Sequence, residues 1–399
     1  MSNRSLNFLC ISTFYKGVDF LKRCKAEGNN VYLLTMKKLE HENWPHESLE
    51  DIFYIETWND RDITKGIAHK YRTIKFDRFV ALDDFDVEKV ALLREHFRMP
   101  GMGRTTSHYF RDKLAMRIKA KTEGVNVPEF TSLFNNDDIN VYADTVSPPW
   151  LLKPRLEASA TGIKKIYSKD ELWQIVNDLG DERDNYLVEK FAPGDVYHVD
   201  GLNLDGKVIF SRVSKYLDTP FEVAHGGGIF RSATCETGTP IEKGLTKMNA
   251  EVMKAFGMQF GASHTEFIVS KATGDLFFLE TSSRVGGANL AEMVAFASGI
   301  NLWSEWAKIE SDTLKQKQYK LPKTKNTYAG IVVSLSRYEY PDSSSFTDKE
   351  IVWRMNKAWH IGMIVVSDSS ERVLELLDQY TKRIANEFHA SLPAPDKTH

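Results

Sequence analysis

Cysteine is scarce. Cys10, Cys24 and Cys235 stand far apart in 399 positions, and none forms a C-x-x-C pair. So sparse a set argues against a disulfide framework and a zinc site and for a reducing compartment, so the cytoplasm is the expected location. Long apolar runs are also lacking: none approaches the roughly 18 residues needed to span a bilayer. The opening stretch MSNRSLNFLCISTFYKG holds an apolar run of only about seven residues, so it reads as a β-strand and not as a secretory leader. Neither sign of charge prevails: 52 Lys and Arg against 55 Asp and Glu leave a net charge of −3. General attraction to nucleic acid or to an anionic membrane is therefore not expected. The first strand-to-helix turn, STFYKG, has no G-x-G-x-x-G, which argues against a dinucleotide site there. No credible Ser-His-Asp or Cys-His set, repeat or low-complexity tract is present.

What the chain does have is ample material for a core, with 42% apolar and 12% aromatic residues. LNFLCIS, NVYLLT, IFYIET and RFVALD read as strands, alternating with the helical patterns VDFLKRCKAEG and VEKVALLREHF. That alternation predicts a small parallel α/β domain. RMPGMGRTTSHYF breaks the pattern and sets a boundary near 105. RDKLAMRIKAKTEG, KDELWQIVNDLG and IEKGLTKMNAEVMKAFG then read as helices, and ANLAEMVAFASGINLW as one apolar helix. Residues 186–216 read as antiparallel strands with turns at Pro193-Gly194 and Asp205-Gly206. A lysine-rich stretch after about 311 leads into two strands, the helix SERVLELLDQYTKRIANEF and a frayed tail.

The segment HTEFIVSKATGDLFFLETSSR predicts a hairpin. A five-residue loop over 271–275 places Glu266 opposite Glu280, with Cβ atoms roughly 4.5–5.5 Å apart. Period two puts Ile268, Phe278, Ser282 and Arg284 on the same face. Two facing carboxylates repel, and a hard cation between them turns repulsion into attraction; Mg2+ suits one or two carboxylates plus phosphate oxygens. A register slip of one residue would abolish the pairing.

Lys113 opens a helix and Lys153 ends an apolar run; alone, each reads as an ordinary surface lysine. Lys153 precedes RLEASATG, a loop of small residues that can bring backbone N–H groups to phosphates, with Ser159, Thr161 and Gly162 the expected contacts. YLVEKFAPGD is a strand running into a turn, whose backbone can face a flat heterocycle.

In order, RDK, LLKP…ASATG, VEKFAPGD and TEF…LETSSRVGGANLAEMV…GINLW resemble the ATP-grasp superfamily, most of all its carbamoyl-phosphate-synthetase and biotin-carboxylase branch, over about residues 1–390. Each motif is weak alone; their order and spacing carry the likeness. The resemblance implies a mixed α/β and α+β chain: a Rossmann-like pre-ATP-grasp domain over 1–105, a two-lobed ATP-grasp domain over 106–310 and a closing lobe over 311–399. It implies that Lys113 and Lys153 contact ATP phosphates, that Glu189, Lys190 and Phe191 hold adenine, and that Asp195 meets the ribose. Glu266, Glu280 and Ser282 would bind Mg2+ or Mn2+, Ser282 standing where the family usually has asparagine. Arg284, with Lys153, would serve the transferring phosphoryl group.

The reaction so implied activates a carboxylate as an acyl phosphate and couples it to an amine, with amino acids or small peptides as substrates. A bicarbonate-dependent carboxylase, a small-molecule kinase and a nucleotide-binding regulator are the alternatives; the chain has no biotinyl-lysine MKM segment. His225 and Arg231 flank the glycines 226–228, a segment suited to closing over a site, and are expected substrate contacts; His198 and His264 read as structural. A homodimer is the default expectation for such an enzyme.

Overall fold

The structure, a computed structural model, describes residues 4–158, 161–219, 223 and 227–391. Ser159, His225 and Gly226 from the sequence reading lie outside them. The chain begins with β1 (Asn7–Ser12), α1 (Val18–Ala26), β2 (Asn30–Met36), β3 (Asp51–Ile55), α2 (Asp60–Tyr71), β4 (Arg78–Ala81) and α3 (Val87–His96). The four strands form a parallel sheet in the order β3-β2-β1-β4, as the alternation predicts. The pattern did not mark α2, because only Ile63 and Ile67 of that helix are buried; the Asn59 side chain caps it by accepting from Asp62 N at 3.1 Å.

Two helices follow, α4 (Arg104–His108) and α5 (Lys113–Thr122). Asp112 fixes the start of α5, its Oδ1 accepting from Leu114 N at 2.9 Å. Next come β5 (Phe130–Ser132), α6 (Asn136–Thr145), β6 (Trp150–Pro154), β7 (Lys164–Ile166), α7 (Lys169–Leu179) and β8 (Tyr186–Lys190). These strands make a small antiparallel sheet, β5-β8-β6-β7, whose core joins Leu133, Ile139, Trp150, Leu172 and Val188.

The remaining elements are β9 (Gly194–Leu204), β10 (Lys207–Tyr216), β11 (Phe230–Thr234), α8 (Pro240–Phe256), β12 (Gly261–Ser270), β13 (Leu276–Ser282), α9 (Leu290–Ser298), α10 (Leu302–Leu314), β14 (Tyr328–Leu335), β15 (Ile351–Arg354), β16 (His360–Ser367) and α11 (Ser370–Glu387). Their strands form one eight-stranded antiparallel sheet, β13-β12-β9-β10-β11-β14-β16-β15. Helix α8 is bounded as its sequence dictates, with Thr239 capping, Pro240 in the first turn and Gly257 at φ 76° closing it. Among the described residues, no helix is long and apolar enough to cross a membrane.

The structure corrects two details. The turn at Asp205-Gly206 joins the paired strands β9 and β10, but Pro193-Gly194 carries the chain from the small sheet to the large one instead of closing a hairpin. The apolar helix near 290–304 is two helices, broken where Gly299 takes φ 78°.

Candidate active site

A cavity of about 740 Å³ lies between the small sheet and the end of the large sheet that carries β12 and β13. Lys113, Lys153, Thr161, Glu189, Phe191, Glu266, Glu280, Ser282 and Arg284 all line it. Residues spread over more than 170 positions of chain thus line one cavity.

Glu266 stands opposite Glu280, as expected. The route to that register differs from the expected one. Ser270 N donates to Asp275 O at 2.9 Å, so the loop is one residue shorter than assumed, and Phe267 pairs with Phe278, Ile268 with Phe277. A β-bulge at Leu279 absorbs the extra residue and restores the carboxylate pair. Phe278 consequently does not share a face with Glu280. It is fully buried on the α8 side, edge-on to Phe256 at 5.5 Å, whereas Leu279 and Glu280 both line the cavity.

Each acid already has a partner. Lys113 Nζ lies 2.9 Å from Glu280 Oε2 and donates to the Glu157 carbonyl at 2.6 Å. Glu266 Oε1 accepts from Tyr216 OH at 2.8 Å and lies 3.5 Å from His264 Nε2. Burial by itself would raise the Glu266 carboxyl; His264 and Tyr216 outweigh it and hold the pKa below the usual value. Behind His264 runs a buried chain: its Nδ1 is 2.9 Å from Asp200 Oδ1, Asp200 Oδ2 is 2.7 Å from His198 Nδ1, and His198 Nε2 is 2.7 Å from Ser232 Oγ. Burial lowers the His264 pKa, but Asp200 more than compensates and lifts it to about 9. His198 is thus hydrogen-bonded through both ring nitrogens, whereas His264 also reaches the cavity wall.

Glycine 286 exists because of that chain: a Cβ there would stand 2.8 Å from Asp200 Oδ1 and 2.9 Å from His264 Nδ1. Gly287 has open space around the same position.

Glu189 is almost wholly buried, with Lys153 on Oε1 and Arg117 Nε at 2.8 Å from Oε2. Burial pushes its carboxyl up, and Arg117 and Lys153 together bring it below the usual range. Its two oxygens are thus engaged by cations; Phe191, Ile163, Leu151, Ile268 and Leu279 supply the apolar lining nearby. Lys165 adds its ammonium 3.9 Å from the centre of the Phe191 ring.

Four expected residues stand off the cavity wall. Gly162 (φ 70°) and Lys190 flank it, and Asp195 pairs with Lys215 at 2.7 Å and with Lys271 at 3.2 Å, Lys271 being the one of these that lines the cavity. Arg231 is tied to Asp218 at 2.8 Å and to Asp378 of α11 at 2.6 Å, an anchor between a loop and a helix.

Asp84 and Arg111 escaped the sequence reading. Asp84 lies three residues beyond the end of β4 and is buried, with Arg111 Nη1 at 3.2 Å from Oδ2 and Arg284 Nε at 3.9 Å from Oδ1. Among the described residues, Asp84 Oδ1 and Arg284 Nε, both buried, have no hydrogen-bond partner. Burial raises the Asp84 carboxyl, but Arg284 and Arg111 hold it low. A signal for it did exist: ligands of parallel α/β sheets gather beyond the carboxyl ends of the strands, where LDDFD lies.

No family model matches the sequence. The chain is 26% identical over 293 residues to the L-arginine-specific L-amino acid ligase of Bacillus subtilis, covering 72% of this chain and 70% of that protein. It is 22% identical over 204 residues to the D-alanine–D-alanine ligase of Neisseria gonorrhoeae, half of this chain and 66% of that enzyme's length. Among solved structures, the L-amino acid ligase of Bacillus licheniformis superposes with a TM-score of 0.78 over 99% of this chain and 100% of that one, at 16% identity. Sequence and architecture agree: the chain has the ATP-grasp fold and is homologous to the L-amino acid and D-alanine–D-alanine ligases.

Proposed function

We propose that this protein is an ATP-dependent, ADP-forming ligase that joins the carboxylate of one amino acid to the amine of a second amino acid or small peptide. The observation that carries the reading is the Glu266–Glu280 pair, in register and facing a cavity that also holds Lys113, Lys153, Arg284 and Asp84.

The donor set fits a hard divalent ion. Two carboxylates from paired strand positions line one cavity, and an ammonium, that of Lys113, already stands against one of them. Glu266 and Glu280 would hold Mg2+ or Mn2+, with Ser282 the next oxygen along β13. The ion's chemistry there is to neutralise charge on the nucleotide's phosphates. Lys113 and Lys153 spread the same charge, and the apolar wall around Phe191 takes the adenine, with Lys271 at the ribose end, backed by its ion pair with Asp195.

Asp84 and Arg284 form the amino acid end. A zwitterion presents an ammonium and a carboxylate, and Asp84 Oδ1 and Arg284 Nε, an acceptor and a donor 3.9 Å apart with no hydrogen bond between them, would each take one. A carboxylate oxygen attacks the γ-phosphorus, the bond to ADP breaks, and an acyl phosphate results. The incoming amine then attacks the acyl carbon, loses a proton, and phosphate leaves. Positioning and charge stabilisation suffice for both steps, so no side-chain nucleophile is needed. The three cysteines are free, in keeping with a cytoplasmic reaction.

ADP release measured against amino acids singly and in pairs tests this. Release that requires two amino acids, with one peptide bond formed per ADP, is the expected result. Release that instead requires bicarbonate, or yields a stable phosphorylated alcohol, overturns it.

A further inference from the structure

Arg117 takes no part in the roles above, yet its side chain is fully buried. A guanidinium is that costly to bury unless its donors are matched. Here two of them are matched to groups that both belong to the cavity wall: Nε donates to Glu189 Oε2 at 2.8 Å and Nη1 donates to the Leu279 carbonyl. Nη2 also lies 2.8 Å from Glu189 Oε2, an ion-pair contact without hydrogen-bond geometry.

Leu279 is the bulged residue of β13, and β13 is the edge of the large sheet. A carbonyl turned outward at an edge has no ladder partner, and a bulge can relax into plain pairing. Were this bulge lost, the side chains beyond it would change faces: Glu280 would leave the cavity and its pairing with Glu266 would end. The rest of the outer edge is held by Asn126, whose carbonyl accepts from Phe278 N and whose Nδ2 donates to Leu276 O, both at 2.8 Å. At the bulge itself the donor is Arg117. One turn earlier on the same face of α5, Lys113 meets Glu280. Helix α5 thus addresses two successive residues of β13, one through the backbone and one through the side chain.

The other half of the fork holds Glu189, which in turn holds Lys153. We propose that Arg117 is the positioning residue of this site: it pins the bulge that sets Glu280 opposite Glu266, and through Glu189 it fixes the ammonium of Lys153 in the cavity wall. The inference rests on the reading of the cavity as a site for a divalent ion and nucleotide.

The test compares wild type, Arg117→Met and Arg117→Lys by Mn2+ titration followed by electron paramagnetic resonance at saturating ADP, by calorimetric ADP binding without metal, and by thermal unfolding. Arg117→Met is expected to weaken Mn2+ binding by about 10- to 100-fold, the usual scale for a residue that orients a metal ligand. Arg117→Lys keeps a cation beside Glu189 but lacks the planar fork, so ADP affinity stays within about 2-fold while Mn2+ affinity remains about tenfold down or more. That split is one that a loss of stability alone does not produce. Wild-type Mn2+ affinity in Arg117→Lys, or equal losses of ADP and Mn2+ binding in it, overturns the proposal, and Arg117→Lys decides alone if Arg117→Met does not fold. Failure of the wild-type protein to bind Mn2+ with ADP overturns the reading of the cavity itself.

Discussion

Glu280→Gln separates metal chemistry from fold more cleanly than any other single change. The side chain keeps its volume, its strand and its cavity position. What disappears is one charge, opposite Glu266 and 2.9 Å from Lys113 Nζ. Two unit charges about 4 Å apart interact by roughly 4 kcal/mol at an effective dielectric constant near 20. A divalent ion would lose interaction of that order, part of it offset because Lys113 is no longer held by the competing carboxylate. A net loss of about 3 kcal/mol in the transition state corresponds to roughly 150-fold in turnover. The cost in stability is moderate, about 1–3 kcal/mol, because Lys113, only 12% exposed, loses its carboxylate partner but keeps the Glu157 carbonyl. The assay pairs coupled ADP release with calorimetric ADP binding and a thermal melt. ADP affinity near wild type with turnover down about 100-fold is the expected outcome. A variant with more than half of wild-type turnover would refute the electrostatic argument at its root.

Other changes test separate parts of the site. Asp84→Asn removes the negative charge proposed to hold the substrate ammonium and should raise the amino acid KM about 10- to 100-fold with little effect on ATP KM; equal effects on both would contradict the assignment. Arg231→Ala should leave steady-state kinetics within about 2-fold and lower the melting temperature, since its ion pairs tie a loop to α11 away from the cavity. Glu189→Gln leaves two cations facing a neutral amide and should cost about 3–5 kcal/mol at neutral pH in urea unfolding. Because the folded-state pKa of Glu189 is depressed, the wild-type advantage is full above the unfolded value of about 4.3 and fades as pH falls through the lower folded value; a gap that widens below pH 4 would show the sign to be wrong. Gly286→Ala should force the Asp200–His264 pair apart, which loss of the His264 signal at its raised pKa in a proton resonance titration would report.

Local rules of strand pairing made the two-glutamate hairpin visible, since turn residues and alternation are local signals. They also assigned a longer loop and an unbroken ladder, two errors that cancel at Glu266 and Glu280 but not at Phe278. The bulge depends on Arg117, which lies 162 positions away from Leu279, and no short window of sequence contains both. Asp84 was missed for a similar reason: it lies in the turn that follows the parallel sheet, and only folding brings it to Arg284. Arg231 was expected at the substrate because it follows a glycine run, yet its partner Asp378 lies on the last helix. The apolar helices and parallel strands were legible because burial imposes their periods directly. The break at Gly299 was obscured because both helices it separates are apolar.

The large sheet passes from the paired glutamates to the closing segment without interruption: β11 is bonded to β10 on one side and to β14 on the other. Anyone recombining this chain with a relative to change what it couples would be drawn to the lysine-rich stretch as a convenient crossover. A cut there would split one hydrogen-bonded surface between two parents, leaving each to match the other's strand register and the packing of α11. The junction near residue 104, where parallel sheet gives way to α4, transfers a whole layer instead, and Asp84 with it.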